Sequence, residues 1–549
     1  MTQPFDLDRV VGEIDRREFL RRAGLTAGGL SLAAVLAPGK LVPAASAESG
    51  GSSEIASITW GLNQTVRSLD HVHNFDFTTG EAVSLCLESL LKYDAKGDLQ
   101  PSLAKSWSQP NATTIVFKLR PGVKFHDGSP LRAEDAAFSM SLHLSKQVSS
   151  QLASYYTSVK WIRATAPDEV TIKLKNPSPF VKYNAAFQAG LVVPKAFWQA
   201  HPKNIGTSGV LTVGTGPWKV TEFVPDDHIT YVRNDEYWGP KPNIRQIVIR
   251  FIEEDATRLL AMRSGQIDGA FDLPLQGVDQ WQKLPNVKVT FASALQMPYV
   301  ILNVQAKPYD DIHVRRAIAY SLDKTGIVNA LLKGHGQPAL SMAFPEQWAG
   351  LLSSAQVKAF YKGLPQFPYD LAKAKAELAK SAYPNGFKAS TKYANGIQID
   401  GKVALVLAES LKKIGVTLDV QEVQTDQWVA ELYAHKPRMH FSLFGADYPD
   451  PANFVAIKLN SAGAIPNGQN FANYKNPTVD KLLVKQERAT TPQARAAAIK
   501  QVLRISGTDL PYVPVVWQQG AMAISSKYTF TGFSPWYYAQ AWAQSIKEA

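Results

Sequence analysis

A single carboxylate, Asp447, stands in a sequence context suited to binding a cation. Residues 439–444 alternate large apolar side chains with smaller or polar ones, which predicts a short strand, and the Gly and Pro residues of 445–451 predict a loop after it. Side chains just past a strand end line the ligand crevices of open α/β sheets. Asp447 can pair there with an ammonium group that would otherwise be buried without compensation, among the aromatic residues Phe444, Tyr448 and Phe454. The alternative is that Asp447 only caps or turns the loop.

The composition describes a folded protein of several domains. At 549 residues the chain exceeds a single hydrophobic core, and the usual domain size predicts about two to four domains. The residues are 45% hydrophobic and 19% charged, as in soluble folded proteins. The formal net charge is +11, but the positive residues are scattered, without the basic stripe or motif that nucleic-acid binding requires. We therefore expect no nucleic-acid partner.

The first 47 residues have the pattern of an export signal. Charged residues 15–22 precede an uncharged apolar run over residues 23–37, and residues 43–47 supply a small-residue Ala-x-Ala site. The run is too short to span a membrane stably, and the paired arginines resemble a twin-arginine signal with Asp15 where Ser or Thr is usual. An amphipathic N-terminal helix is the alternative. We expect cleavage after Ala47 and release into the periplasm, because no cysteine is present there to anchor a lipoprotein.

Residues suited to metal binding or catalysis are sparse. The single cysteine, Cys86, lies in an apolar run, so neither an intrachain disulfide nor a cysteine metal cluster is possible. His71 and His73 stand beside Asp70 and Asp76, but two histidines without further matched ligands do not predict a metal site. The chain also lacks Gly-x-Ser-x-Gly, His-Glu-x-x-His and Gly-x-x-x-x-Gly-Lys-Ser/Thr motifs. We predict no metal, no cofactor and no enzymatic activity, with a periplasmic hydrolase as the alternative.

Hydrophobic periodicity predicts strands and helices that alternate along the rest of the chain. Strands are expected over residues 55–60, 114–120, 300–304, 417–420, 439–444 and 512–516. Helices are expected over residues 81–91, 131–139, 370–380 and 401–414. This order of elements predicts the α/β class.

Several motifs, in this order, resemble those of the family 5 solute-binding proteins of ABC importers, the group of dipeptide-, oligopeptide- and nickel-binding proteins. The first is the strand, Gly/Pro turn and helix over residues 114–139. The next are residues 214–220 (Gly-Thr-Gly-Pro-Trp-Lys-Val) with 234–239 (Asn-Asp-Glu-Tyr-Trp-Gly), and then 255–268, 314–323 and 511–515. The resemblance covers residue 55 to the C-terminus.

The resemblance implies a two-lobed periplasmic binding protein of type II, with an extra subdomain in the first lobe and hinge strands between the lobes. On this sequence, the first lobe comprises residues 54–86, 205–300 and 515–549, the extra subdomain residues 87–204, and the second lobe residues 301–514. The chain is expected to cross between the lobes near residues 299–308 and 511–517, because hinge segments concentrate the backbone change while the lobes stay rigid.

The resemblance also implies a ligand site. In peptide-binding members an aspartate holds the ligand's α-ammonium, in a strand-end motif of one aromatic residue, two small residues and Asp. The motif is matched here by Phe444, Gly445, Ala446 and Asp447, with Phe in place of the frequent Trp. The family also pairs its backbone with an extended peptide. By position, the further candidates at the ligand are Phe75, Asp76 and Phe77 in the loop after Asp70, and Tyr155 and Trp428 as pocket walls.

The function implied is the capture of di- or oligopeptides by lobe closure and their delivery to a permease and an ATPase at the inner membrane. We expect the chain to be a monomer. Nickel-type members tend to lack the aspartate at position 447, which favours a ligand with an amine. A nickel chelate, haem, an oligosaccharide or an opine remain alternative ligands, and a sensory role is an alternative use of the closed form.

Overall fold

Six β-sheets organise residues 54–395 and 397–549, which are the residues that this computed structural model describes. The predicted export signal lies outside them. The strands of the described chain are β1 Ile55–Leu62, β2 Leu91–Tyr93, β3 Leu99–Pro101, β4 Ala104–Asn111, β5 Thr114–Leu119, β6 Val159–Ala166, β7 Glu169–Leu174, β8 Trp218–Val224, β9 His228–Arg233, β10 Ile244–Phe251, β11 Gly269–Ala270, β12 Val287–Ser293, β13 Gln296–Leu302, β14 Gly336–Pro338, β15 Lys388–Ala394, β16 Thr417–Val423, β17 Met439–Gly445, β18 Tyr512–Pro514, β19 Val516–Ser525, β20 Tyr528–Phe530 and β21 Ile546–Glu548.

Helices lie between these strands, and many of them begin at a side-chain cap. Asp, Asn, Ser or Thr side chains accept backbone N–H groups at the first turns of several helices, for example Asp370 at α10. The helices of the described chain are α1 Phe77–Val83, α2 Ala133–Ser141, α3 Val181–Asn184, α4 Lys195–Ala200, α5 Asp255–Ser264, α6 Val278–Gln282, α7 Ile312–Tyr320, α8 Lys324–Leu331, α9 Ser354–Lys362, α10 Leu371–Ala379, α11 Gln398–Lys412, α12 Thr425–Tyr433, α13 Ala452–Lys458, α14 Pro477–Glu487 and α15 Pro492–Asp509.

The first lobe is built on an eight-stranded mixed sheet. Its order is β12-β19-β11-β1-β10-β9-β8, and the short β14 pairs with β19. β1 pairs in parallel with β10 and β11, whereas β19 is antiparallel to β11 and β12. One face of this sheet buries Trp60 completely, between Phe271 and Trp542 at ring-centroid distances of 4.7 and 4.9 Å. Aromatic packing of this kind fixes the sheet from which the ligand loops project.

The extra subdomain is a four-stranded antiparallel sheet in the order β4-β5-β7-β6, with α2 packed against β6 and β7. The second lobe contains the three-stranded sheet β17-β13-β18 and the parallel pair β15-β16, covered by helices such as α11. The α/β two-lobed architecture expected from the sequence is therefore confirmed. The boundaries assigned to the lobes stay predictions.

The chain passes between the two main sheets within two residues. β12 belongs to the eight-stranded sheet and β13 to the three-stranded sheet, so the chain passes from one sheet to the other at Ala294 and Leu295, just before the predicted crossing near residues 299–308. The Ala294 N–H donates to the Gln518 carbonyl of β19 (3.0 Å), while the Leu295 carbonyl accepts the Ala446 N–H (3.0 Å). Leu295 also has a left-handed φ of +50°. The predicted hinge strand 300–304 overlaps the end of β13, which finishes at Leu302.

One predicted helix is wrong. The apolar run from residue 81 to 91 suggested a helix over its whole length, but α1 begins at its cap Asp76 and ends at Val83. Backbone carbonyls just beyond it bind the Gly-Thr-Gly-Pro-Trp block instead: the Gly216 N–H donates to Cys86 O (3.0 Å) and the Trp218 N–H to Leu85 O (3.1 Å). Tertiary hydrogen bonds therefore replace helical ones in this segment. Within the described residues, no helix has the length and apolar character needed to cross a membrane.

Candidate functional site

The loop that carries Asp447 connects β17 to α13 and is anchored by a different carboxylate. Asp450 is buried and forms an ion pair with Arg495, whose Nη1 and Nη2 lie 2.5 and 2.8 Å from the two carboxylate oxygens. Asp450 Oδ1 also accepts the N–H of Ala452 (2.9 Å) at the start of α13. The turn-forming and capping role that was the alternative for Asp447 is therefore filled by Asp450.

The Asp447 carboxylate is surrounded by neutral donors. The Tyr155 hydroxyl hydrogen-bonds to it, and Asn453 Nδ2 lies 3.5 Å from Asp447 Oδ2. The Asp447 N–H donates to Asn453 Oδ1 (3.0 Å), which holds the loop in place. Burial raises the pKa of Asp447, and the hydrogen bonds from Tyr155 and Asn453 oppose this shift. Asp447 forms no ion pair with any residue of the described chain. A secluded carboxylate of this kind is the electrostatic complement of an ammonium group.

Tyr448, the next residue, closes the seam between the second lobe and the extra subdomain. Its O–H donates to Asn184 Oδ1 (2.9 Å), and Asn184 Nδ2 in turn donates to the Tyr155 carbonyl (2.8 Å). The Tyr448 ring lies 5.7 to 5.8 Å from four aromatic rings of the subdomain, those of Tyr155, Phe180, Tyr183 and Phe187. The structure is thus closed at this point, and Asp447 faces the inside of the seam.

Two cavities lie near the Asp447 loop, although Asp447 itself lines neither of them. The first, of about 730 Å³, is lined by both lobes and includes Phe77 and Tyr538. Across it, Lys402 Nζ of the second lobe donates to Gln276 Oε1 of the first lobe (2.9 Å). The second, of about 720 Å³, is lined by Pro449, Asp450 and subdomain residues. Spaces of this size suit a small ligand or a short peptide.

The structure brings several of the predicted site residues together. Phe77 is 40% exposed, lies 4.8 Å from the Tyr538 ring and faces Gly445, where a Cβ would stand 3.6 Å from the Phe77 ring. Phe75 contacts the Tyr155 ring at 5.6 Å. These aromatic rings and Gly445 surround the same seam as Asp447.

Two other predicted residues, Asp76 and Ala446, make hydrogen bonds that stabilise the local structure. The Asp76 carboxylate lines the cavity but accepts the Thr79 N–H (2.7 Å), so it caps α1. Ala446 is buried and contributes its backbone N–H to the crossing at Leu295. These two residues position the loops around the seam.

Two of the predicted aromatic residues lie in the core, and their role at the ligand stays a prediction. Phe444 is only 7% exposed and packs at 4.9 Å on Phe454, so its side chain belongs to the core beneath the Asp447 loop. Trp428 is 6% exposed and stacks at 5.0 Å on His440. Neither side chain lines the two cavities at the seam, because Phe444 on β17 and Trp428 on α12 are both covered by neighbouring core residues.

Sequence reasoning missed Asn453, Lys458 and Tyr538. Tyr538 arrives from the C-terminal segment and contacts Phe77, while Asn453 and Lys458 lie on α13. The sequence did indicate Asn453, because it lies in the first turn of the helix that follows the loop, six residues after Asp447. No local pattern marks Tyr538, because its position depends on packing across the whole first lobe.

The histidines near the N-terminal loop have structural partners or are buried. His73 Nδ1 lies 2.5 Å from Asp70 Oδ2, and its Nε2 bonds to the Val148 carbonyl (2.8 Å). His71 is buried, and burial lowers its pKa to about 4. In the part of the chain that the structure describes, no three His, Cys, Asp or Glu side chains are placed to hold a metal ion.

Comparisons with known proteins agree with this architecture. The family model of the bacterial extracellular solute-binding proteins, family 5, matches residues 98–465. The glutathione-binding protein GsiB of Escherichia coli strain K12 is 25% identical over 456 residues, covering 81% of this chain and 85% of the relative. Heme-binding protein A of Haemophilus influenzae is 26% identical over 480 residues, covering 82% and 84%.

A solved structure shows the same fold. The periplasmic binding protein DppA of Helicobacter pylori, in complex with the peptide STSA, superposes with a TM-score of 0.75 at 24% identity and covers 90% of this chain and 98% of that one. The relatives are binding proteins rather than enzymes, which agrees with the prediction from the motifs. The chain therefore belongs to family 5 of the bacterial extracellular solute-binding proteins, the substrate-binding components of ABC importers.

Proposed function

We propose that this protein captures peptides in the periplasm by closing its two lobes on them and delivers them to a membrane permease. The observation that carries the proposal is the Asp447 carboxylate, which lies among neutral hydrogen-bond donors and forms no ion pair with any of the described residues. A peptide's terminal ammonium supplies the missing positive charge.

Closure makes this pairing effective. Where water is excluded, a hydrogen bond to a charged group is stronger than at an open surface, and an unpaired charge is costly. Tyr155 and Tyr538, with the partly exposed Phe77, would pack around the ammonium and reduce its contact with water. Micromolar affinity requires a net binding free energy of only about 8 kcal/mol, which such a site supplies together with backbone contacts.

A ligand with an ammonium group is favoured over the alternatives in the family. One relative binds heme and another binds glutathione, and the solved complex of DppA contains a peptide. Haem has no ammonium group to pair with Asp447, and a peptide-like ligand such as glutathione does. The polar lining of the larger cavity, with amides such as Gln518 and Gln519, can bond to peptide groups.

The cellular setting follows from the same proposal. The twin-arginine type signal, cleaved after Ala47, would place the free monomer in the periplasm. Its partners would be the permease and ATPase subunits of an ABC importer at the inner membrane, with the closed form as the shape that the permease recognises. Peptide uptake lost on deletion of the gene, with chemotaxis unchanged, would separate transport from a sensory role.

The decisive test is binding by the purified protein. Native mass spectrometry of the protein as purified identifies co-purifying ligand, and calorimetry then measures its affinity for wild type and Asp447→Asn. We expect a loss of at least a hundredfold in peptide affinity with the melting temperature of the free protein not lowered. Asp426→Asn, an exposed carboxylate on α12, is the matched control. Unchanged affinity in Asp447→Asn would refute the anchor, and peptide products in the same incubation would indicate a hydrolase.

A further inference from the structure

A cavity of about 550 Å³ lies in the second lobe, away from the Asp447 loop. Its walls come from β15, from the start of β17 and from the segment that joins α12 to β17. β17 extends over Met439–Gly445 at a rise of about 3.3 Å per residue, so about 20 Å separate this cavity from the loop at the other end of the strand. The charged side chains and the histidine that line the cavity are Lys388, Lys392, Glu431, Lys436, Arg438 and His440.

The cavity has an excess of positive charge. Glu431 is the only acid among the described residues that line it, and its two carboxylate oxygens lie 2.8 and 2.9 Å from Lys392 Nζ. The exposed side chains of Lys388, Lys436 and Arg438 form no ion pair or hydrogen bond with any described residue. Cations around one concave space repel one another, and a bound anion relieves that repulsion.

A buried histidine is part of the same wall. His440 is 1% exposed, and neither of its ring nitrogens has a hydrogen-bond partner among the described residues. Its ring stacks on Trp428 at 5.0 Å, which fixes the plane of the imidazole. Burial lowers the pKa of His440 to about 3, so the ring is neutral and has one N–H to donate. A buried donor without an acceptor costs free energy, which an oxyanion in the cavity would recover.

Hydrogen bonds hold the walls of the cavity in place. His435, where the chain turns after α12, has a left-handed φ of 53°, and both of its ring nitrogens are hydrogen-bonded. The Arg438 carbonyl accepts the Asn303 N–H (2.9 Å). From β15, Thr391 Oγ1 donates to the Met439 carbonyl (3.3 Å). The backbone that carries the positive groups is therefore fixed before any ligand binds, which lowers the cost of binding.

We propose that this cavity binds a phosphate group, with Lys388, Lys436 and Arg438 as its counter-charges and His440 as a neutral donor. A phosphate monoester carries about two negative charges at neutral pH and several acceptor oxygens, so it satisfies more of these donors than a single carboxylate would. A guanidinium such as that of Arg438 presents a planar pair of N–H groups that matches two phosphate oxygens. The phosphate can belong to a soluble molecule or to a lipid head group. This site lies outside the peptide seam and goes beyond the function proposed above.

Two probes test the proposal and separate the two sources of phosphate. Calorimetry of the purified protein measures its affinity for inorganic phosphate, in about 150 mM sodium chloride to screen weak surface attraction. Sedimentation with vesicles of phosphatidylcholine and phosphatidic acid measures binding to a lipid phosphate. We expect Arg438→Met and Lys388→Met each to weaken binding about tenfold, because each removes a charge-assisted contact. Lys481→Met, at an exposed lysine of α14, removes the same charge elsewhere and is the matched control.

Each outcome supports or overturns the proposal. Inorganic phosphate that binds to wild type, less to Arg438→Met and Lys388→Met, and normally to Lys481→Met would assign the site to a soluble ligand. The same pattern with vesicles alone would assign it to a lipid head group. Equal binding by all the variants would show attraction to the general positive charge and overturn the proposal, as would no binding of either probe at millimolar phosphate. Asp447→Asn should bind phosphate as wild type does, and a loss there would place the phosphate in the peptide site and overturn the proposal.

Discussion

Tyr448 and Asn184 meet across the seam through a hydrogen bond of 2.9 Å, although 264 positions separate them in the sequence. Tyr448 follows the candidate anchor Asp447 directly, and Asn184 belongs to the subdomain that also supplies Tyr155. The candidate ligand anchor, Asp447, and the residue of the closing contact, Tyr448, are therefore neighbours in the chain. Any displacement of the Asp447 loop is transmitted to the contact that holds the halves together.

The first prediction concerns this closing contact. Tyr448→Phe keeps the four ring contacts but removes the hydrogen bond to Asn184, so we expect a loss of about 1 kcal/mol in closure and roughly a fivefold weaker ligand affinity. Calorimetry with the ligand found in the purified protein measures the change. Tyr369→Phe, at a 41% exposed tyrosine, is the control. Affinity equal to wild type would show that the contact forms equally well without the hydroxyl.

The second prediction concerns the pH dependence of ligand affinity. Burial raises the pKa of Asp447, and only its ionised form pairs with an ammonium group. Affinity should therefore fall as the pH drops through this raised pKa, at a higher pH than an ordinary carboxylate would give. It should fall again above about pH 8, where an α-ammonium loses its proton. Calorimetry from pH 4.5 to 9 checks both limbs. If the affinity of wild type did not change at acid pH, the pairing with Asp447 would be contradicted. For Asp447→Asn, by contrast, we expect an affinity that does not change at acid pH.

The third prediction concerns the anchor of the loop. Arg495→Met leaves the buried Asp450 carboxylate without its cation, which costs about 3–5 kcal/mol in the free energy of unfolding. The matched control is Lys118→Met, which breaks an ion pair with Glu169 at the surface and should destabilise the protein far less. Denaturant unfolding followed by circular dichroism measures both. Similar losses in the two variants would mean that the buried pair does not hold the loop.

The fourth prediction concerns an unpaired acid in the second lobe. Asp400 is fully buried, neither of its carboxylate oxygens has a hydrogen-bond partner among the described residues, and burial raises its pKa to about 8. Its pKa in the unfolded chain is near 3.8, so the folded state holds the proton more tightly and stability falls as the pH rises between these values. Between these two pKa values, Asp400 alone lowers the free energy of unfolding by up to about 1.4 kcal/mol for each pH unit.

Asp400→Asn should remove that contribution. Its melting temperature is expected to exceed that of wild type at pH 8 and to depend less on pH between 5 and 8. Thermal unfolding of the ligand-free protein gives both values, with Asp426→Asn as the exposed control. A variant that is less stable than wild type at pH 8 would show that the Asp400 carboxylate is ionised and well paired in the folded protein.

The six strands and three of the four helices that local sequence patterns predicted overlap strands and helices of the described chain, because their cause is local. Residues 439–444 alternate in polarity and form β17, and residues 370–380 have helical periodicity and form α10 behind the cap Asp370. The helix expected over residues 81–91 fails for a non-local reason. Its backbone carbonyls at Leu85 and Cys86 bind a segment that lies some 130 residues later in the chain.

The candidate site shows the same division between local and distant causes. Asp447 could be predicted because a strand end, a small-residue pair and a Pro-rich loop surround it in sequence. Lys458 could not, because it becomes a buried charge only when Gln469 and Phe471 fold over the end of α13. Phe444 was predicted from its place in the strand-end motif and Trp428 as a pocket wall, whereas the core packing of both depends on residues distant in sequence.

The short strand β14 has a consequence for how the protein opens. Gly336, Gln337 and Pro338 pair with β19, and the Ala339 N–H donates to the Val515 carbonyl (3.0 Å), beside the place where the chain passes between the halves. Together with the passage at Leu295, this gives three places at which the backbone links the first-lobe sheet to the second lobe. The lobe closure that the proposed function requires would therefore be a rotation about these segments, because three links resist sliding.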